Sequence, residues 1–147
     1  MNITHGTKHD YEVIISVWEA SVRATHTFVR EEYLQELRVL ILDSALPAVD
    51  VYLIKDELGN IVGFMGISGE MLEMLFVAPE HFRKGLGKAL ATYAVEECGV
   101  TKVDVNEQNP EAHKFYLAQG FKVVRRSATD GMGKPYPILH MELDKVC

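Results

Sequence analysis

Apolar residues recur at helical spacing over residues 8–22, with Val13, Ile14, Val17, Trp18 and Val22 falling on one face. A second helical pattern spans residues 30–43, carried by Tyr33, Leu34, Leu37, Leu40 and Ile41, and the polar-aromatic junction RATHTFV separates the two. The period then changes. Residues 51–54 and 61–68 are apolar runs on either side of Asp56-Glu57-Leu58-Gly59-Asn60, the signature of an antiparallel hairpin. Ser68-Gly69-Glu70 turns the chain again, and residues 71–77 give a third strand that Pro79 ends. A helix over 85–98, a short strand at 103–105, a helix over 109–119 and strands at 121–127 and 136–143 complete the order, with a candidate short strand at 2–4. The 109–119 helix carries its own punctuation: Asn109 as cap, Pro110 in the first turn and Gly120 as stop. The pattern predicts a mixed α/β sheet with a strand–turn–helix at its centre, a place where anionic ligands bind.

Length and charge narrow this picture. A chain of 147 residues without repeats, low-complexity tracts or Pro/Gly/Ser-rich linkers is expected to form one domain over 1–147, large enough to bury a core without staples. The net charge of −6 argues against a nucleic-acid or membrane-surface partner, although Arg83, Lys84 and Lys88 make a local basic patch. Cys98 and Cys147 form no CxxC or Cys/His ligand spacing, which argues against a metal site and fits a reducing compartment. Cys98 reads as a small buried hydrophobe, because no base adjoins it in the sequence. The start MNITHGTKHD lacks the basic and apolar segments of a signal peptide, and no apolar run approaches the roughly 20 residues that span a bilayer. A cytoplasmic protein is expected, either monomer or homodimer.

The chemistry concentrates in two stretches. In HFRKGLGKAL (81–90) a strand that stops at Pro79 re-emerges as a helix at Gly85, exposing a run of backbone N–H groups. Glycines there let the backbone approach a ligand, and the helix amino end favours negative charge. Taken alone, the stretch supports a phosphate cradle and a plain strand-to-helix turn equally. It is not a Walker loop, since no Gly-Lys-Ser/Thr follows, and Leu90 stands where a dinucleotide fingerprint needs its third glycine. The second stretch is NEQNPEAHKFYLAQGF (106–121), in which Phe115 reads as core and Tyr116 carries a hydroxyl that needs a partner if buried.

Together, the strand ending V-x-P, the loop F-R-K-G-L-G-K-x-L and the later N-x-x-A-x-x-F-Y-x-x-x-G-F resemble the GCN5-related N-acetyltransferase (GNAT) superfamily. VNEQN, FY, GF, RS and GKPYP further resemble the YjaB-like bacterial subgroup. The resemblance implies a mixed, mostly antiparallel central sheet flanked by helices, with a splayed parallel strand pair forming a cleft for acetyl-CoA as co-substrate. It places the pantetheine arm along the backbone of Leu75, Phe76 and Val77. The pyrophosphate falls on the loop of Phe82, Arg83, Lys84, Gly85, Leu86, Gly87 and Lys88. Asn109 becomes a cofactor contact and Tyr116 the tyrosine beside the thioester sulfur. One departure stands out: the family loop usually begins with Gln or Arg three residues before the first glycine, where this chain has Phe82. Backbone amides do most of the phosphate binding, so a reshaped rather than abolished site is expected.

Transfer to an amine needs few parts. A base must leave the acceptor neutral, and Glu73 and Asp104 are the candidate bases. Glu73 alternates with Leu75 and Val77 and is expected on their side of the strand; a salt bridge or plain solvent exposure is the competing role for either carboxylate. A backbone N–H at the end of the 71–77 strand is expected to stabilise the oxyanion. A tyrosine hydroxyl, with a pKa of about 10, can protonate the departing thiolate, which makes Tyr116 the candidate acid. His26, Phe28 and Tyr136 are candidate acceptor contacts, with His26 open to a role as base, ligand or helix cap. Trp18 and His140 are further pocket-lining residues, Trp18 fitting a helix core better. The leading expectation is an acetyl-CoA-dependent N-acetyltransferase acting by direct transfer on a primary amine: a small molecule, an amino acid or a peptide N-terminus. A non-catalytic CoA-binding or acyl-CoA-sensing module is the alternative, and a nucleotide-phosphate binder is disfavoured by the second motif.

Overall fold

A computed structural model describes residues 2–25 and 29–144. One sheet of seven strands runs through the molecule in the order β1-β2-β3-β4-β5-β7-β6. Its strands are β1 (Asn2–His5), β2 (Asp50–Lys55), β3 (Ile61–Ser68), β4 (Met71–Val77), β5 (Lys102–Asn106), β6 (Phe121–Ser127) and β7 (Ile138–Leu143). Only β4 and β5 pair in parallel; every other neighbour is antiparallel. The mixed, mostly antiparallel sheet expected from the sequence is the one observed.

The helices divide between the two faces. Helix α1 (Tyr11–Thr25) follows a 3-10 turn capped by Thr7, whose hydroxyl accepts from the His9 N–H while its own N–H donates to the Asp10 carboxylate at 2.9 Å. Helix α2 (Glu31–Leu40) is shorter than the 30–43 expected. It gives way to a π-turn over Ile41–Ala45 and a 3-10 turn over Leu46–Ala48, because Pro47 cannot continue an α-helix. Ile14, Ile15, Trp18, Leu34 and Leu46 pack with Phe64, Met74 and Phe76 on this face. On the other face lie α3 (Leu86–Cys98) and α4 (Pro110–Ala118), whose Leu86, Leu90, Ala94 and Tyr116 pack with Leu72, Val77, Val103 and Val105. Strands buried from both sides explain the near-continuous apolar runs of β3 and β4. Cys98 lies half-buried against the α3 core, and its hydrogen bond, ahead of burial, pushes the Tyr52 hydroxyl up to about 12. Among the described residues no helix is long and apolar enough to cross a membrane, and no group of three His, Cys, Asp or Glu side chains is placed to hold a metal ion.

Candidate active site

The site begins where two strands part. Pairing between β4 and β5 consists of Met71 with Lys102 and Leu72 with Val103, held at its start by the Thr101 and Lys102 N–H groups, which both donate to the Glu70 carbonyl at 2.9 and 3.1 Å. Beyond Leu72 the strands diverge, so the β4 edge that faces β5 has no strand partner. A bulge drives the divergence: Ile67 pairs with Leu72 and Gly66 with Met74, leaving Glu73 as the extra residue. Bulges bend their strand and increase its twist. The resulting cleft has a volume of about 740 Å³ and runs between β4, β5, the amino end of α3 and α4.

One end of this cleft has the features of an anion cradle. Gly85 caps α3 with φ +81°, a left-handed conformation that glycine adopts without steric cost. The first backbone bond returning to it comes from Ala89 at 3.0 Å, so the amides of Leu86, Gly87 and Lys88 precede the helical ladder. A Cβ built on Gly87 would stand 3.6 Å from the Phe115 ring and 3.8 Å from Leu75, inside the cleft. Gly87 thus keeps the cradle open instead of relieving a clash. Phe82, Arg83 and Lys88 line this end, the Phe82 ring also packing against the α3–α4 core, whereas the exposed Lys84 lies outside the cleft wall. His81, which the motif comparison passed over, also lines the cleft, and its buried Nδ1 has no hydrogen-bond partner among the described residues. An orphaned polar atom, open amides and two cations fit a phosphorylated co-substrate.

Arg83 resolves the departure at Phe82. It is the one described non-glycine residue with positive φ, at 64°. Such a conformation costs an L-residue about 1–2 kcal/mol. The apolar ring packs on the core at the cleft wall, and the next position carries a cation in a backbone slot that glycine fills more easily. Arg83→Gly should therefore leave the melting temperature equal or higher while raising the KM for acetyl-CoA about tenfold, the size of one lost charge-assisted contact. A lower melting temperature with unchanged KM would show that the arginine serves the fold.

Along the middle of the cleft, Leu75 and Val77 line the wall, while the Phe76 side chain turns to the opposite face and stacks on Phe64 at 5.7 Å. Only the Phe76 backbone is presented to the cleft edge. Asn109 lines the cleft and caps α4, its side-chain oxygen accepting from the Ala112 N–H at 3.2 Å. Tyr116 is 7% exposed and is held edge-on by Phe115 and Phe121, with ring centroids 4.9 and 5.8 Å away. Burial alone pushes its hydroxyl well above the ordinary tyrosine value.

The bulge refines one expectation. Leu72, Leu75 and Val77 belong to the α3–α4 face, but Glu73 and Met74 line a second cavity of about 340 Å³ on the α1–α2 face, with Trp18, Leu37 and Ile41. The extra residue interrupts the alternation at Glu73, which lines the main cleft with Leu75 and Val77 and reaches the second cavity too. Glu73 thus stands where the two cavities meet. Burial, and then the charge of Asp104, push its carboxyl above the usual glutamate value. Asp104 is differently placed: its Oδ1 lies 2.7 Å from His140 Nδ1, and His140 Nε2 lies 2.7 Å from the Ser127 hydroxyl. The Ser127 contact was not anticipated.

Tyr136 sits on the segment before β7 and stacks on Tyr33 of α2 at 5.2 Å, nearly parallel. The Tyr33 hydroxyl donates to Asp130, tying α2 to the β6–β7 loop. Trp18 is 3% exposed and belongs to the helix core while edging the second cavity. His26 and Phe28 lie outside the described residues.

A cleft opened by a bulged β4, a helix amino end with open amides and a buried tyrosine across from them define an acetyltransferase of the GNAT kind. The family described as "Acetyltransferase (GNAT) domain" matches residues 47–123, just over half of the chain, and the chain belongs to that family. Within it, the peptidyl-lysine N-acetyltransferase YjaB of Salmonella typhimurium (strain LT2) is 38% identical over 141 residues, covering 96% of this chain and 97% of that protein. Peptidyl-lysine N-acetyltransferase YiaC of Escherichia coli is 30% identical over 123 residues, 83% of this chain and 84% of its own. The solution structure of apo YjaB from Escherichia coli superposes with a TM-score of 0.89 at 35% identity, covering 99% of this chain and 98% of that one. The PaiA N-acetyltransferase of Thermoplasma acidophilum, solved with coenzyme A, shares the fold at a TM-score of 0.72 and 24% identity, covering 99% of this chain and 100% of that one. The chain is accordingly an acetyl-CoA-dependent acyltransferase, and the sensing-module alternative is set aside.

Proposed function

We propose that this enzyme acetylates the ε-amine of lysine in peptides, with residues 1–147 acting as one acetyltransferase domain. The observation that carries the acceptor class is the pair of carboxylates, Glu73 and Asp104, at the point where β4 and β5 separate. A cationic amine approaching the thioester meets both. The sequence alone pointed to a primary amine on a small molecule, an amino acid or a peptide N-terminus; the names of the relatives at 38% and 30% identity favour the lysine side chain within that class.

Each residue then has a role that its surroundings support. The α3 amides with Arg83 and Lys88 hold the pyrophosphate. The unpaired β4 edge beyond Leu72 receives the pantetheine arm as an added strand, and an N–H on it faces the developing oxyanion. Glu73, desolvated and repelled by its neighbour, takes the proton from the lysine ammonium. Asp104, held by its hydrogen bond with His140, faces the incoming ammonium. Tyr116 donates its phenolic proton to the sulfur that leaves. The two carboxylates divide the work, Glu73 as base and Asp104 as the partner of His140.

The test uses two peptides that differ in which amine they offer. A peptide with blocked ends and one lysine should release CoA thiol in step with acetyl-lysine formation, and a free-ended peptide with arginine for that lysine should release little. The reverse ranking would reassign the acceptor to the α-amine. Acetyl-CoA alone should raise the melting temperature; no shift would count against the cleft assignment itself.

A further inference from the structure

We propose that His140 is a positioning residue, which with Ser127 holds Asp104 as the anchor for the acceptor's ammonium group and gives up that anchor when the imidazole is protonated. The inference rests on the lysine reading above and adds a regulator of acceptor binding to it.

Register puts the three side chains in line. Asp104 and His140 are direct cross-strand partners on β5 and β7, and Ser127 ends the neighbouring β6 opposite Ile138. The two contacts, Asp104 Oδ1 to His140 Nδ1 and His140 Nε2 to Ser127 Oγ, are both 2.7 Å. An ionised carboxylate only accepts, so the neutral imidazole carries its proton on Nδ1, and Nε2 accepts from the Ser127 hydroxyl. Both ring nitrogens are committed, which fixes the ring and through it one carboxylate oxygen. The exposures differ in the direction the role needs: the His140 side chain is 19% exposed and that of Asp104 44%. The histidine is covered while the carboxylate looks into the cleft that it lines.

Charge supplies the switch. Around His140 lie Asp104 and Lys102 on β5, Glu142 on β7 and Arg125 on β6. Arg125 is the cross-strand partner of His140 and donates to the Ser127 hydroxyl at 3.4 Å. Glu73 on β4 stands on the far side of Asp104, and Tyr33 on the α2 side has its hydroxyl engaged with Asp130. With the imidazole neutral, Asp104 presents a full negative charge to the cleft. Protonation of His140 pairs that charge internally and adds a cation facing the incoming ammonium, so acceptor binding weakens as pH falls. Acetyl-CoA, held at the other end of the cleft, does not sense the change.

Steady-state kinetics on the end-blocked lysine peptide at pH 6, 7 and 8 test this, with KM for peptide and for acetyl-CoA read separately. In the wild type the peptide KM should rise about tenfold from pH 8 to pH 6, the effect of one lost charge pairing, while the acetyl-CoA KM stays within about twofold. His140→Gln, which cannot become charged, should raise the peptide KM moderately at pH 8 and remove its rise towards pH 6. Asp104→Asn should raise the peptide KM about tenfold or more at every pH, with a smaller effect on kcat. An undiminished pH-dependent rise in His140→Gln, or an Asp104→Asn effect confined to kcat, would overturn the proposal. Should the wild type ignore the blocked peptide but acetylate a free alkylamine, the lysine reading falls, and the same KM ratios on the alkylamine decide the anchor by itself.

Discussion

Glu73→Gln should lower kcat about 100-fold or more, the contribution of a positioned general base, while leaving the protein at least as stable as before. Glutamine keeps the shape of the side chain and removes only its charge and basicity. Among the described residues nothing pairs with the Glu73 carboxylate, and burial followed by Asp104 raises its proton affinity. A carboxyl raised in the folded state binds more protons there than in the unfolded chain. Its favourable term is fully present below the ordinary value of 4.5 and is lost as pH rises through the raised one. At neutral pH the ionised group is thus a small burden on the fold, which fits the proposed role as base. The melting temperature of Glu73→Gln should match the wild type at pH 4 and equal or exceed it at pH 7.5. The wild-type kcat should fall on the acid side at a pH above the ordinary glutamate range, and that limb should vanish in the variant. A clear loss of melting temperature at pH 7.5 with most of kcat retained would remove Glu73 from the role of base.

What the sequence made legible was whatever is written locally. The Asp56–Asn60 turn, the Asn109-Pro110 start of α4 and the Gly85 cap all depend on side chains acting on their own backbone, and each is found within a residue of its expected place. Features that arise from pairing were not legible. The bulge at Glu73 belongs to the register between β3 and β4, and nothing in MLEMLFV distinguishes it from plain alternation. For the same reason a strand that reads as uniformly apolar serves two different cores. Asp104 and His140 are 36 residues apart and His140 and Ser127 are 13 apart, so only strand order β5-β7-β6 brings them into one chain of hydrogen bonds. The positive φ of Arg83 was hidden because glycine is the usual signal for that conformation, and here the position carries a cation instead. Its neighbour Phe82, the conspicuous irregularity in the motif, both packs on the core and lines the cleft.

In the proposed mechanism the chemistry at the sulfur depends on Tyr116. Tyr116→Phe should reduce kcat by about 100-fold or more, with the KM for acetyl-CoA changed by no more than a few fold. The split follows from geometry: the ring is held edge-on by Phe115 and Phe121, contacts that phenylalanine keeps, so the cleft wall retains its shape. What is lost is one O–H. Burial is the sole cause acting on that hydroxyl and holds the proton on it throughout the physiological range, so Tyr116 is always armed as a donor. Because the tyrosine does not ionise below its raised value, the alkaline side of the wild-type profile should stay flat to about pH 9, short of even an ordinary tyrosine. A variant that turns over at the wild-type rate would remove Tyr116 from the chemistry and leave it as a wall of the cleft.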